Sequence, residues 1–324
     1  MPAVLVTRGV PGPVREHLAG RCRLEVWEGE GVMPRAELLE RVEGKAGLLA
    51  MLTDRVDGEL LDRAGPELAV VANYAVGFDN LDLDACTARG VLATNTPDVV
   101  TEATADLTWA LLLAAARRVA GGDRFLRARR PWIWGPEFFL GFEVHGKTLG
   151  VIGLGRIGRA VARRAAGFGM PVLYTARHRL PADEEAALGV AWRDLDELLA
   201  EADFVTIHTG LSAATRHLIG ARELARMKPT AVLVNTARGP IVDEAALADA
   251  LAAGELGAAG LDVFEHEPEV HPSLLGLDNA TIVPHLGTST LETRVAMGMT
   301  AAANLLAGLE GRRPPNLLNP EALG

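Results

Sequence analysis

Cysteine is scarce in this chain of 324 residues: Cys22 and Cys86 stand alone and far apart. Two cysteines cannot build a disulfide framework, nor by themselves a structural zinc site, so a reducing, cytoplasmic setting is expected. Lysine is scarcer than arginine: of 32 basic residues only Lys45, Lys147 and Lys228 are lysine. That bias fits genomic base composition or heat adaptation, and the sequence does not separate the two. No basic block exists, and the formal net charge is −10. Nucleic-acid binding is therefore not expected, because neutralising phosphates needs clustered Lys and Arg. The N-terminus has no charged region ahead of an apolar one, so no signal peptide is expected. The run Leu107–Ala116 is too short to span a bilayer and reads as buried core, so no membrane partner is expected either.

What is present is a globular composition, 49% apolar and 23% charged. At roughly 150 residues per domain this suggests about two domains. Short apolar runs alternate with helix-like segments in the first hundred residues: Ala3–Val6, Leu24–Trp27, Gly47–Leu52, Ala69–Ala72 and Val91–Thr94. A long helix is predicted from about Val99 to Arg118, ending near Gly121-Gly122. Residues 129–146, rich in aromatics, Gly and Pro, read as an irregular excursion. A second series of strands follows: Thr148–Ile152, Val172–Thr175, Phe204–Ile207, Ala231–Asn235, Ala258–Leu261 and Thr281–Val283. The helical segments between them are Ile157–Gly167, Leu195–Ala202, Ala221–Met227 and Glu244–Ala253. Ser289-x-x-Glu292 reads as a capping box that opens a last helix.

Gly153, Gly155 and Gly158 fit G-x-G-x-x-G, with an apolar strand before them and an amphipathic helix after. In that context the first glycine permits the tight turn, the second lets the backbone approach a pyrophosphate, and the third lets helix and strand pack closely. The helix N-terminus offers its free N–H groups to phosphate. The next strand ends Tyr174-Thr-Ala-Arg-His-Arg, with no acid between Gly169 and Ala182 to take a ribose 2′-hydroxyl. Ala176 takes the acid's place, and Arg177 and Arg179 can pair with a 2′-phosphate. NADP(H) is therefore favoured, with NAD(H) possible. The fingerprint starts at residue 153, so a nucleotide domain inserted into another domain is expected.

Three further stretches, Val234–Asp243, Gly260–Pro268 and Val283–Gly287, complete a set that resembles the D-isomer-specific 2-hydroxyacid dehydrogenases. The resemblance runs from Asn73–Asn80 to the tail. Within the family it leans to glyoxylate/hydroxypyruvate reductases through Thr96-Pro-Asp-Val-Val-Thr, the Leu-Tyr-Thr-Ala-Arg strand end and Trp132-Ile-Trp134. It implies an α/β fold: a Rossmann domain at 99–287 inserted into a flavodoxin-like substrate domain at 1–98 and 288–324, with the active site in the cleft and a homodimer contact near 99–146. It implies reduction of small 2-keto acids, glyoxylate and hydroxypyruvate, to D-2-hydroxy acids.

Reducing a 2-keto acid needs a cation for the carboxylate, polarisation of the ketone, a proton donor and a hydride donor. By resemblance Arg238 grips the carboxylate or keto oxygen, where a planar guanidinium fork serves better than a lysine. His285 is the acid/base, and Glu267 orients its ring and favours its charged form. The main chain of Val76 and Gly77 holds the substrate carboxylate, and Leu52 lines the pocket near the substrate's C3 end. The resemblance assigns to the cofactor, beside the three glycines and Arg177 and Arg179, the residues Thr104, Arg156, Ile157, His178, Thr209, Gly210, Thr236, Ala237, Asp262 and Gly287. Gly210 replaces a proline common in the family, which is expected to loosen its loop. His266, Glu267 and His271 do not have the helical His-x-x-x-His spacing, so no metal is expected. The alternatives are a 3-phosphoglycerate dehydrogenase, whose phosphate would need cations such as Arg55 and Arg63, and a corepressor-like dinucleotide sensor. The absence of an extension after Gly324 and of long disordered tails speaks against both.

Overall fold

The computed structural model describes residues 1–323; Gly324, the last residue of the expected substrate domain, lies outside the described residues. The chain forms two compact units. One comprises Met1–Val100 and residues 289–323, and the other Thr101–Thr288.

In the first unit, β1 (Ala3–Val6), β2 (Arg23–Val26), β3 (Gly47–Ala50), β4 (Val70–Asn73) and β5 (Leu92–Thr94) form a parallel sheet. Its order, β2-β1-β3-β4-β5, is that of flavodoxin-like folds. β3 and β4 are buried along their whole length, as strands covered on both faces must be. The helix Leu291–Leu309 packs on β3 and β4, and its Gly308 lies so close to Val70 that a Cβ there would come within 2.7 Å of that side chain.

In the second unit the sheet runs β12-β11-β10-β9-β6-β7-β8, all parallel. Its strands are β6 (Leu149–Ile152), β7 (Val172–Thr175), β8 (Val190–Trp192), β9 (Phe204–Ile207), β10 (Val232–Asn235), β11 (Ala258–Leu261) and β12 (Ala280–Ile282). The order reverses between β6 and β9, which places a crevice at their carboxyl ends. Leu149, Val151 and Phe204 point to a core shared with the helices Thr101–Ala116 and Arg156–Ala165; Leu198, Ile207 and Leu233 point to a core on the other face. Asp194 and Asp243 cap the helices that follow them, each accepting the N–H three residues on.

Four local expectations are corrected. The long helix, Thr101–Ala116, lies within two residues of its expected bounds, but the pair Gly121-Gly122 does not end it. Instead the chain breaks at Arg118, in the left-handed region with φ 54°, and a second helix, Val119–Arg127, runs through both glycines. The break is stabilised from outside: the returning Phe142 N–H donates to the Ala116 carbonyl at 2.8 Å, against a Gly141 whose Cβ would sit 2.3 Å from that oxygen. The last helix is capped by Thr290, not Ser289; the Thr290 hydroxyl accepts the Thr293 N–H at 3.1 Å, while Ser289 Oγ accepts from Arg294. β8 was not expected: Val190-Ala-Trp192 is short and only its first residue is buried, so it does not stand out as an apolar run. Helix Ala182–Leu188 was not expected either; acids fill its first turn and Gly189 ends it in the left-handed region.

Candidate active site

The glycine turn lies at the crevice between β6 and β9. Gly153 has φ +92°, and a Cβ there would come within 2.7 Å of the His208 carbonyl oxygen. A Cβ on Gly158 would lie 2.1 Å from the Gly153 oxygen, so helix and turn touch only because both residues are glycine. Gly155 is different: a Cβ there would meet nothing within 4 Å. It caps the helix Arg156–Ala165, whose first turn holds no acid, and it faces an open cavity of about 680 Å³. That cradle at a helix N-terminus fits a pyrophosphate. Arg156 is the helix's first residue, whereas Ile157 is half-buried and packs against the core.

Gly153, Gly155, Ala176, Arg177, His178, Thr209 and Gly210 all line this cavity. Arg179 does not. Its guanidinium makes a two-point pair with Glu185, Nε to Oε1 at 2.8 Å and a terminal N–H to Oε2 at 2.9 Å, and lies over the Trp192 ring. Arg179 is thus committed to a buried carboxylate and is withdrawn from the proposed 2′-phosphate contacts. The loop at Gly210 is tied rather than loose: the Thr215 hydroxyl donates to the Gly210 carbonyl at 2.7 Å and accepts the Ser212 N–H at 2.8 Å. The sequence reading missed His208. It follows β9 directly, lines the cavity and has a buried Nε2 with no hydrogen-bond partner; burial pushes its ring down to about 3, so it stands neutral. The sequence signal was limited to its place right after the mostly apolar run Phe204–Ile207; its burial and missing partner are properties of the fold.

Glu267 and His285 meet as expected, Oε2 to Nδ1 at 2.8 Å. Glu267 Oε1 accepts the Phe264 N–H at 3.0 Å. Burial works to raise this carboxyl, but the hydrogen bond and charge of His285, the Phe264 N–H and the Arg238 charge outweigh it and hold it below the usual range. Nδ1 is engaged, so Nε2 is the ring nitrogen that this pair leaves available. His285 sits in the left-handed region, φ 52°, which a non-glycine residue adopts only when held there. Asp262 does the holding: its carbonyl accepts the His285 N–H at 2.8 Å, and its carboxylate accepts the N–H groups of Leu286 at 2.5 Å and Gly287 at 2.9 Å. Burial pushes the Asp262 carboxyl above the ordinary range against these bonds.

Arg238 follows β10 and donates to the Ala237 carbonyl at 2.8 Å; Asn235 accepts the Ala237 N–H and donates to the Arg238 carbonyl. Ala237 itself packs against the core. Thr236 shares a hydrogen bond with Thr108, which also donates to the Thr104 carbonyl. A Cβ on Gly287 would come within 3.1 Å of Asp262 and 3.6 Å of Thr104, so these assigned cofactor residues form one cluster. In the first unit, the carbonyls of Val76 and Gly77 accept from Asn95 at 2.7 Å and Asn73 at 2.8 Å. Their N–H groups are left unengaged among the described residues, and Leu52 is half-buried. No group of three or more His, Cys, Asp or Glu side chains among the described residues converges as a metal site would.

A reversing parallel sheet, a glycine cradle at the reversal and an Arg/Glu–His set define a nicotinamide-dinucleotide-dependent dehydrogenase. The sequence profile of the D-isomer specific 2-hydroxyacid dehydrogenase NAD binding domain matches residues 109–287. The chain is 48% identical to a glyoxylate reductase of Thermococcus onnurineus over 99% of its own length and 97% of the relative's. A solved structure from Thermus thermophilus superposes with a TM-score of 0.91 at 48% identity, covering 98% of this chain and 99% of that one. An NADPH-dependent glyoxylate/hydroxypyruvate reductase of Sinorhizobium meliloti, solved with NADP and malonate, superposes at 0.84 with 32% identity, covering 99% and 97%. The chain belongs to the D-isomer specific 2-hydroxyacid dehydrogenase family.

Proposed function

We propose that this protein reduces glyoxylate and hydroxypyruvate to glycolate and D-glycerate, using NADPH in preference to NADH. The Glu267–His285 pair, with Arg238 charging the same carboxylate, is the observation that carries the reading. In the nucleotide-binding unit Arg238 takes the substrate carboxylate; in the first unit, the unengaged N–H groups of Val76 and Gly77 also suit a carboxylate. His285 Nε2 passes a proton to the keto oxygen while Glu267 stabilises the charged ring. A reduced nicotinamide, when bound, supplies the hydride. Leu52, a large apolar and half-buried residue, suits small acids such as glyoxylate and hydroxypyruvate. The names borne by the relatives support this substrate class.

The cofactor preference rests on Ala176, Arg177 and His178 lining the cavity with no acid among them. A 2′-phosphate paired with a cation is worth roughly 1.5–3 kcal/mol, about one to two orders of magnitude in KM. A 3-phosphoglycerate substrate is disfavoured, because Arg55 pairs with Asp57 at 3.0 Å and Arg63 with Glu43 at 3.4 Å. A homodimer is supported by the surface around the helix Val119–Arg127, which buries none of its own residues. There Trp132, Ile133, Trp134 and Leu140 are more than half exposed, beside a stacked Trp132–Phe138 pair. The deciding experiment is kcat/KM for a panel of 2-keto acids with both cofactors. Glyoxylate and hydroxypyruvate with NADPH should lead; phenylpyruvate ahead of hydroxypyruvate overturns the substrate reading.

A further inference from the structure

The loop between β7 and the helix Ala182–Leu188 carries Ala176, Arg177 and His178, and it is fixed from beneath by residues that do not line the cavity. The Tyr174 ring is fully buried at the end of β7. Its hydroxyl accepts the Leu180 N–H at 2.8 Å and donates to Glu185 Oε1 at 2.7 Å. Glu185 is buried in turn and takes both donors of Arg179. The main chain of Tyr174 is tied as well, its carbonyl accepting the Arg193 N–H at 2.9 Å. One buried phenol oxygen therefore closes both ends of the segment 174–180, and one ion pair neutralises the only carboxylate in the arrangement. Arg177 and His178 project exposed from the segment so closed.

We propose that Tyr174, Arg179 and Glu185 form a positioning clamp that sets the dinucleotide preference by holding Arg177 and His178 in place for a 2′-phosphate. This rests on the NADP(H) reading above. The physical reason is selective. NADH has no 2′-phosphate, so it gains nothing from a fixed Arg177, and a slack segment costs binding only to NADPH. Arg179 acts twice, through geometry and by cancelling a negative charge that would otherwise repel the phosphate.

The test compares steady-state kinetics of intact variants with each cofactor. Tyr174→Phe keeps the ring and removes one oxygen. Loss of that hydrogen bond should raise KM for NADPH about threefold to tenfold, with KM for NADH and both kcat values unchanged. Arg179→Met should raise it further by leaving the Glu185 charge bare, and adding Glu185→Gln should restore part of the loss. A lower Tm with both KM values moving together, or with neither moving, overturns the clamp and leaves a merely structural network. An improved NADPH KM in Glu185→Gln also overturns it, because Arg179 would then be a withheld ligand. Arg177→Ala separates the two readings. If the wild type shows no NADPH preference, or Arg177→Ala leaves it intact, the NADP(H) reading fails and the clamp's role falls with it. If Arg177→Ala abolishes the preference while Tyr174→Phe preserves it, the clamp alone is overturned.

Discussion

At the scale of single residues, the proposed chemistry rests on one held histidine, His285. Its Nδ1 is tied to Glu267 and its backbone is pinned in an unfavourable region by Asp262. His285→Ala should cut kcat at least about 100-fold, the cost of a lost general acid, with dinucleotide affinity intact by fluorescence titration. Glu267→Gln removes the charge that favours the protonated ring, so the alkaline fall-off of reduction should move to lower pH in a kcat/KM profile. An unmoved profile disconnects Glu267 from the proton. At the cavity beside the glycine turn, Ala176→Asp with Arg177→Ile should reverse the cofactor preference, since a carboxylate repels a 2′-phosphate and accepts ribose hydroxyls. Equal use of both cofactors by the wild type would return the protein to dual specificity without touching Arg238, Glu267 or His285.

At the scale of elements, two groups in the nucleotide-binding unit tie stability to pH. Burial pushes His208 down to about 3 from an ordinary 6.5, and Arg179 and Tyr174 hold Glu185 at about 2 against 4.5. Both are depressed in the folded state, so the unfolded chain binds protons first as pH falls. Their contribution is complete above pH 6.5. It is lost in two stages, from 6.5 downward for His208 and from 4.5 downward for Glu185. Tm measured across this range should fall in that order, with His208→Gln flattening the upper step and Glu185→Gln the lower. An upper step that persists in His208→Gln assigns it to another group.

At the scale of the whole molecule, the aromatic excursion is the surface with the least reason to face water. Phe125, Phe138 and Phe139 pack edge to face at 5.0 to 5.7 Å, yet Ile133 and Trp134 are 89% and 77% exposed. Exposed apolar area of this kind marks a contact surface. Ile133→Glu with Trp134→Glu should convert a dimer to monomers in sedimentation equilibrium, at wild-type secondary structure by circular dichroism. A wild type that sediments as a monomer removes the dimer proposal.

The sequence by itself determined the α/β class, eleven of whose twelve described strands it located closely, because parallel strands covered on both faces are near-continuous apolar runs. It also determined the nucleotide cradle, since only glycine tolerates φ +92° at Gly153 and a 2.1 Å approach at Gly158. Arg238, Glu267 and His285 were legible because they sit in contiguous motifs. Other features were decided by distant partners. The left-handed break at Arg118 depends on Phe142 and Gly141 returning more than twenty residues later. The fate of Arg179 depended on a helix the sequence did not announce: in the chain it is one of two equivalent arginines, and only the folded position of Glu185 makes it a strut while Arg177 stays at the cavity. His208 became visible as a candidate only when β9 settled beside β6, for a side chain's burial and lack of partners are properties of what surrounds it in space.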